Sequence, residues 1–176
     1  TVLALDGFDE KPAYGAARYS VDAGLYFDRE FDWFGDEYQQ TLEPRIYYVR
    51  SPYIDNQDLV PNFDTKLTTV TFASLFTGDR FTGGDRLADL NQMSVGLTSR
   101  LIRDDGLEQL RASIGRIYYQ RDRDVQLTGT NVGEYDLRAT SSTLGEVEWN
   151  PSESWSVFST LEWDSYYDYA RQRKYG

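Results

Sequence analysis

Cysteine and histidine are both absent from this 176-residue chain. The first absence excludes disulfides and thiol chemistry, while saying nothing about compartment. Together the two remove the usual zinc ligands and every mechanism that depends on an imidazole. Basic residues are in deficit: 18 Lys and Arg stand against 29 Asp and Glu, a formal net charge of −11. That balance argues against a nucleic-acid partner. No window approaches eighteen consecutive apolar residues, so no transmembrane helix is expected. The mean hydropathy of −0.61 is low. It does not exclude a membrane β-barrel, which is apolar on one face only and carries polar loops. Thr1 to Leu5 reads as a strand end rather than a leader, which leaves either processing or an internal fragment.

What the chain does have is aromatics, 15% of its residues and mostly Tyr, and a period of two. From Arg18 to Asp28 the odd positions read Tyr19, Val21, Ala23, Leu25 and Phe27; the even positions are mostly polar. Such alternation means an extended strand with one apolar and one wet face. The same pattern predicts strands over Tyr38–Arg50, Gln92–Ile102, Glu108–Arg121, Leu137–Trp149 and Ser154–Asp164. These stretches are long. Soluble strands usually run about five or six residues, whereas a tilted membrane-crossing strand needs roughly nine to eleven. Pro44 offers no N–H to a ladder and predicts a bulge or a broken hydrogen bond. In the fourth stretch the apolar phase shifts from Leu110, Ala112 and Ile114 to Ile117 and Tyr119, which suggests a second bulge.

Tight turns are expected over Phe31–Glu37, at Asp104-Asp105-Gly106 and over Asn150–Glu153. They alternate with long loops near 6–16, 51–91 and 122–136, and the Tyr-rich tail from Ser165 reads as the start of another. Bacterial membrane barrels sort loops by end in this way, with short periplasmic turns and extended surface loops. Aromatics near strand ends (Tyr19, Phe27, Tyr48, Trp149, Trp155, Trp163) suit membrane interfaces. The expected fold class is all-β: antiparallel transmembrane β-barrel strands. Six strands and a partial one fall short of the eight or more that close a bacterial barrel, so residues 1–176 read as part of a larger one.

Several segments carry a family resemblance. Thr41-Leu42-Glu43-Pro44-Arg45-Ile46-Tyr47-Tyr48 is followed by Pro52-Tyr53, Phe63-Asp64-Thr65 and Leu75-Phe76. Asp79-Arg80-Phe81-Thr82-Gly83-Gly84-Asp85-Arg86 comes next, then Asp89 to Gln92 and Gly96-Leu97-Thr98-Ser99-Arg100. Their number and order make them resemble the outer-membrane LPS-assembly protein family, LptD (OstA/Imp), with Leu42, Glu43, Pro44, Arg45, Gly83, Gly84, Asp85 and Arg86 as structural positions of the family motif. The resemblance implies a large barrel in the Gram-negative outer membrane, plugged by an LptE-like lipoprotein and passing lipopolysaccharide to the outer leaflet. The family's periplasmic domain and cysteines are not in this sequence.

Charges on the polar faces, namely Glu43, Arg45, Arg100, Arg111, Arg138, Glu146, Glu148 and Glu162, could meet the plug or lipopolysaccharide phosphates. Cross-strand ion pairs are the simpler expectation. Glu146, Glu148 and Glu162 invite comparison with a paired-carboxylate hydrolase, but no base or nucleophile accompanies them. Asp85, Asp89, Asn91, Asp104 and Asp105 lack an EF-hand pattern, and Gly83-Gly84 precedes no phosphate-loop Lys. Leu67 to Phe76 carries scattered apolar residues and is expected to fold back into the barrel mouth as a lid. The reading is therefore a conduit with no catalytic residues, metal or cofactor, and with lipopolysaccharide, a plug lipoprotein and outer-membrane lipid as partners. A small porin-like barrel and a soluble carbohydrate-binding β-sandwich are the alternatives.

Overall fold

The computed structural model describes residues 17–33, 35–53, 66–67, 71–78, 81–82, 88–122, 137–164 and 169–176, with backbone alone for 66–67, 81–82 and 169–173. The expected strand end at Val2–Leu5, the loop near 6–16, Gly83–Arg86 and most of 122–136 lie outside these residues.

One antiparallel sheet dominates. Its strands are β1 (Tyr19–Gly24), β2 (Phe27–Trp33), β3 (Asp36–Ser51), β6 (Leu90–Arg103), β7 (Glu108–Tyr119), β8 (Thr143–Ser152), β9 (Trp155–Asp164) and β10 (Tyr169–Tyr175). They lie in the order β1-β3-β6-β7-β8-β9-β10, and β2 also pairs with β3. Between β3 and β6, β4 (Lys66–Leu67) pairs with β5 (Phe81–Thr82), and a single 3₁₀ turn covers Ala73–Phe76. Among the described residues the sheet is all-β, meander-like and open, with β1 and β2 at one edge and β10 at the other.

β1 and β2 are one strand with a gap. Their register against β3 is continuous, from Tyr19 opposite Arg50 to Trp33 opposite Asp36. The gap, Leu25-Tyr26, faces Pro44. The Leu25 N–H donates to the Pro44 carbonyl at 3.0 Å, but proline has no N–H to return the bond. The ladder is thus interrupted without a bulge. On its other side β3 pairs with β6 without a shift from Tyr38 to Ser51.

Two of the tight turns come where glycine permits positive φ, at Gly35 (φ 94°) and Gly106 (φ 88°), while the third, between Ser152 and Trp155, holds no glycine. The first is tighter than the sequence suggests, because β2 runs on to Trp33 and β3 starts at Asp36.

Three expectations need correction. The phase change along β7 is not a bulge: its register against β6 is constant from Leu110 to Tyr119, and the shift lies at Leu101/Ile102. Ile117 and Tyr119 simply sit on the opposite face from Ile114, for a reason given below. The fifth strand starts at Thr143 rather than Leu137, with an isolated bridge between Thr140 and Tyr118 before it. The tail is not all loop: Tyr169–Tyr175 pairs with β9, through backbone bonds that side-chain periodicity does not report.

Candidate functional site

Register assigns every strand residue to a face. The apolar face carries Val21, Leu25, Phe27, Leu42, Ile46, Leu97, Ile114, Val147, Trp149, Val157 and Leu161, and these side chains are exposed; Ile114 is 54% accessible. At the end where the tight turns lie, Tyr38 stacks on Phe31 (centroids 5.9 Å apart) and meets Trp33 edge-on at 6.0 Å. Arg29 lies 5.5 Å above the Phe31 ring.

The buried apolar cluster is on the polar face. Tyr47, Val49, Leu90, Ile117 and Leu144 cluster there with Leu75 and Phe76, which come from the connection between β3 and β6. Thr71–Gly78 therefore folds back onto the sheet, as the Leu67–Phe76 pattern suggests. Leu75 is fully buried and Phe76 is 6% accessible. Burying two such side chains contributes about 1.5–3 kcal/mol each before ordering costs. Ile117 and Tyr119 change phase because the wall beneath this segment is apolar.

A pair of glycines makes room for it. Gly96 on β6 lies directly opposite Gly115 on β7. A Cβ at Gly96 would come within 2.5 Å of a Phe76 ring carbon and 3.0 Å of a Phe72 ring carbon. One at Gly115 would come within 2.9 Å of a Leu75 methyl and 2.8 Å of the Val95 carbonyl oxygen. The missing Cβ atoms thus form a slot for Phe72, Leu75 and Phe76. Sequence reasoning overlooked this pair for a reason: the register at the turn, Ile102 opposite Glu108, would place Gly96 opposite Ile114, and only the one-residue shift at Leu101/Ile102 brings Gly115 there.

Polar contacts pin the segment. Glu146 accepts a hydrogen bond from the Phe72 N–H at 3.0 Å, and the Ser94 hydroxyl donates to the Leu75 carbonyl. Thr71 and Ser74 bond reciprocally, Thr71 N–H to Ser74 Oγ at 2.8 Å and Ser74 N–H to Thr71 Oγ1 at 3.2 Å. The Arg45 guanidinium sits 4.5 Å over the Phe76 ring while its Nε donates to Asp22 at 2.9 Å.

Toward the tight turns the same face carries a ladder of charge. Arg100 meets Glu43 and Glu108, each at 3.0 Å; Arg111 meets Glu108 at 3.6 Å and pairs with Glu148. These side chains are roughly a third exposed, so each pair is worth about 0.2–1 kcal/mol and holds the β3-β6-β7-β8 register more than it stabilises. Arg138 and Asp164 differ: they meet at 3.0 Å with side-chain exposures of 7% and 3%. Of the three glutamates, Glu146 accepts from the Phe72 N–H and Glu148 pairs with Arg111, while Glu162 lines one cavity with Glu146, Thr160 and Lys174. Asn91 accepts from the Tyr48 hydroxyl at 3.0 Å, and Asp105 is engaged by Arg103. Among the described residues no three carboxylate-type ligands gather as a metal would need.

Of the motif residues, Leu42 and Pro44 face the apolar side and Glu43 and Arg45 the polar side, while Gly83, Gly84, Asp85 and Arg86 lie outside the described residues.

Residues 3–172 match the family model "LptD: LPS transport system D". The chain is 43% identical over 159 residues to the LPS-assembly protein LptD of Hahella chejuensis (strain KCTC 2396), covering 90% of this chain and 19% of that protein. It is 43% identical over 166 residues to the LPS-assembly protein LptD of Pseudomonas savastanoi pv. phaseolicola (strain 1448A / Race 6), covering 93% and 18%. To that of Pseudomonas putida (strain GB-1) it is 40% identical over 164 residues, covering 87% and 18%. The chain spans about a fifth of the length of these curated relatives. With nearly its whole length matched, the chain belongs to the LptD family.

Proposed function

We propose that this chain is a stretch of transmembrane β-barrel wall in the Gram-negative outer membrane, its apolar face on lipid and its polar face lining a wet lumen. The observation that carries the reading is an inversion: the side chains of the apolar face are exposed, and the buried apolar cluster lies on the polar face. A soluble sheet with this pattern would cover its apolar face with a second layer. The dimensions fit. Gln40 and Arg50 bracket the apolar positions of β3. Ten residue steps at about 3.3 Å give roughly 33 Å of strand, or about 25 Å of height at the tilt of membrane barrels.

Within such a wall the chain serves lipopolysaccharide assembly and transport, as the names of its relatives suggest. It acts as a conduit rather than an enzyme. The polar face offers hydrogen-bonding groups and paired charges to a sugar-phosphate head or to an LptE-like plug lipoprotein. The apolar face offers a surface to acyl chains. The long connections lie outside the cell and the tight turns in the periplasm on this reading, which is supported by the way bacterial membrane barrels sort their loops.

Ile114→Arg in the full-length protein tests the orientation. A charge facing lipid near mid-membrane is unfavourable by about 2–4 kcal/mol, so folded, heat-modifiable protein should fall sharply. Ser113→Lys, one residue away and opposite Glu146, should be accommodated. Equal tolerance of both substitutions would refute a lipid-facing Ile114 and favour a soluble sandwich.

A further inference from the structure

We propose that Arg29 holds the phosphate of a glycerophospholipid against the outside of the wall, at the end where the tight turns lie. The inference rests on the barrel reading above, which puts this end on the periplasmic side. Strand alternation turns Phe27, Arg29, Phe31 and Trp33 of β2 to the apolar face, beside Leu42, Gln40 and Tyr38 of β3. Arg29 stands where that face changes character: the exposed Phe27 and Leu42 continue it toward mid-membrane, and Phe31, Trp33 and Tyr38 form an aromatic patch toward the turns. In a bilayer this boundary is the headgroup level, where aromatic rings collect. A guanidinium there calls for an anion. Arg45, Arg100, Arg103, Arg111 and Arg138 each meet a carboxylate. Arg29 meets none among the described residues, because Asp28 and Glu30 on either side of it belong to the other face. Its contacts are neutral. Nε and Nη2 donate to the Gln40 amide oxygen at 3.0 and 2.6 Å, and the Phe31 ring centre lies 5.5 Å from the guanidinium carbon. Gln40 is held in turn: its Nε2 donates to the Ser99 hydroxyl at 3.3 Å, and Ser99 donates to the Thr41 carbonyl at 2.8 Å. Every donor in this chain points the same way, so the amide oxygen is kept toward Arg29 and the guanidinium keeps its Nε edge on the wall. The N–H groups left on Nη1 and Nη2 belong to an exposed side chain and form the fork that a phosphate accepts from. Acyl chains of the same molecule would lie over Phe27 and Leu42, a contact that a free phosphate ion lacks.

Photo-crosslinking in the full-length protein tests this at the site itself. Phe27→p-benzoylphenylalanine, in dodecyl maltoside, is titrated with radiolabelled dioleoylphosphatidylglycerol or with dioleoylglycerol, which has the same chains and no phosphate. Heat-modifiable migration is the check on folding. Phosphatidylglycerol should label position 27 saturably, and excess inorganic phosphate at constant ionic strength should not displace it. Arg29→Gln should raise the half-saturating concentration about tenfold, the effect of losing a hydrogen-bonded charge. Arg103→Gln removes a charge from the same face, beside Tyr38, but one already paired with Asp105, and should change nothing. Dioleoylglycerol should label weakly and equally in all three proteins. Folded Arg29→Gln that labels like the parent, an equal loss in Arg103→Gln, or displacement by inorganic phosphate would overturn the phospholipid site and leave the barrel standing. A parent protein with no membrane-embedded, heat-modifiable form would overturn the barrel and the site together.

Discussion

Removing one carboxylate should loosen one end of the sheet and little else. The Arg138 guanidinium and the Asp164 carboxylate meet at 3.0 Å, nearly sealed from solvent. At an effective dielectric of about 20, two unit charges at that distance attract by roughly 5.5 kcal/mol, which desolvation largely offsets while the pair is intact. Asp164→Ala keeps the desolvation of the arginine and discards the attraction. Breaking a buried pair is unfavourable by about 3–5 kcal/mol, and the lower end applies because Arg138 retains further contacts. The loss should be local. Arg138 begins the segment in which Tyr119 N–H donates to the Ala139 carbonyl at 2.7 Å and Ser141 N–H to the Ile117 carbonyl at 2.9 Å. Hydrogen exchange at the amides of Tyr119 and Ser141 in the full-length protein should accelerate by roughly a hundredfold, the equivalent of about 3 kcal/mol. Amides of the β3–β6 ladder should not respond. The double variant Asp164→Leu/Arg138→Met, which buries no charge, should recover to within about 1 kcal/mol of the parent. Exchange in Asp164→Ala within about threefold of the parent, or a double variant worse than the single one, would refute the reasoning.

Two further predictions concern the backbone. Pro44→Ala restores the N–H that Leu25 lacks opposite it; the new bond adds about 0.5–1.5 kcal/mol, and the lost restriction of the unfolded chain removes about 0.4–1. Stability should hardly move, but the new amide at position 44 should be protected from exchange and β1 should run into β2; an unprotected amide there would mean that the missing donor is not what divides the strand. In the β6–β7 turn, the Arg103 guanidinium, followed by the Leu107 N–H, holds the Asp105 carboxyl below its ordinary pKa. A depressed folded value means that the turn's extra stability is present above the ordinary aspartate range and fades as pH falls through the folded value. Protection of the Leu107 amide, which donates to Asp105 at 3.0 Å, taken as exchange relative to the intrinsic rate at each pH, should therefore fall only below the ordinary aspartate range, and Asp105→Asn should abolish that dependence; a loss of protection near neutrality would contradict it.

Strand positions were legible because alternation survives wherever one face is apolar, and Asp104–Gly106 was legible because a positive φ at Gly106 leaves few choices. The pattern could not say which face would be buried. It describes side chains, and the burial here depends on a segment arriving from forty residues away. Ile117 and Tyr119 show the limit: read along one strand they look like a slip in register, and only the Thr71–Gly78 segment packed on them explains the change of face. The tail shows another. Tyr-Ala-Arg-Gln-Arg-Lys-Tyr has little apolar periodicity, and its place beside β9 is set by backbone hydrogen bonds. The charge ladder was readable as a set of residues but not as pairs, since pairing needs the register between strands.

The motif Leu42-Glu43-Pro44-Arg45 gains a physical meaning from these contacts. Three consecutive residues of β3 reach three different neighbours. Glu43 turns to β6 through Arg100, Pro44 interrupts the bond to the edge strand, and Arg45 grips that strand through Asp22 while its other surface lies on Phe76 of the Thr71–Gly78 segment. Arg45 suits this double role because a planar guanidinium can accept a carboxylate along its edge and an aromatic ring against its face. A lysine at that position would keep the charge and lose the planar fork. On this geometry Glu43, Pro44 and Arg45 form a joint that sets the edge strand, β6 and the Thr71–Gly78 segment relative to one another.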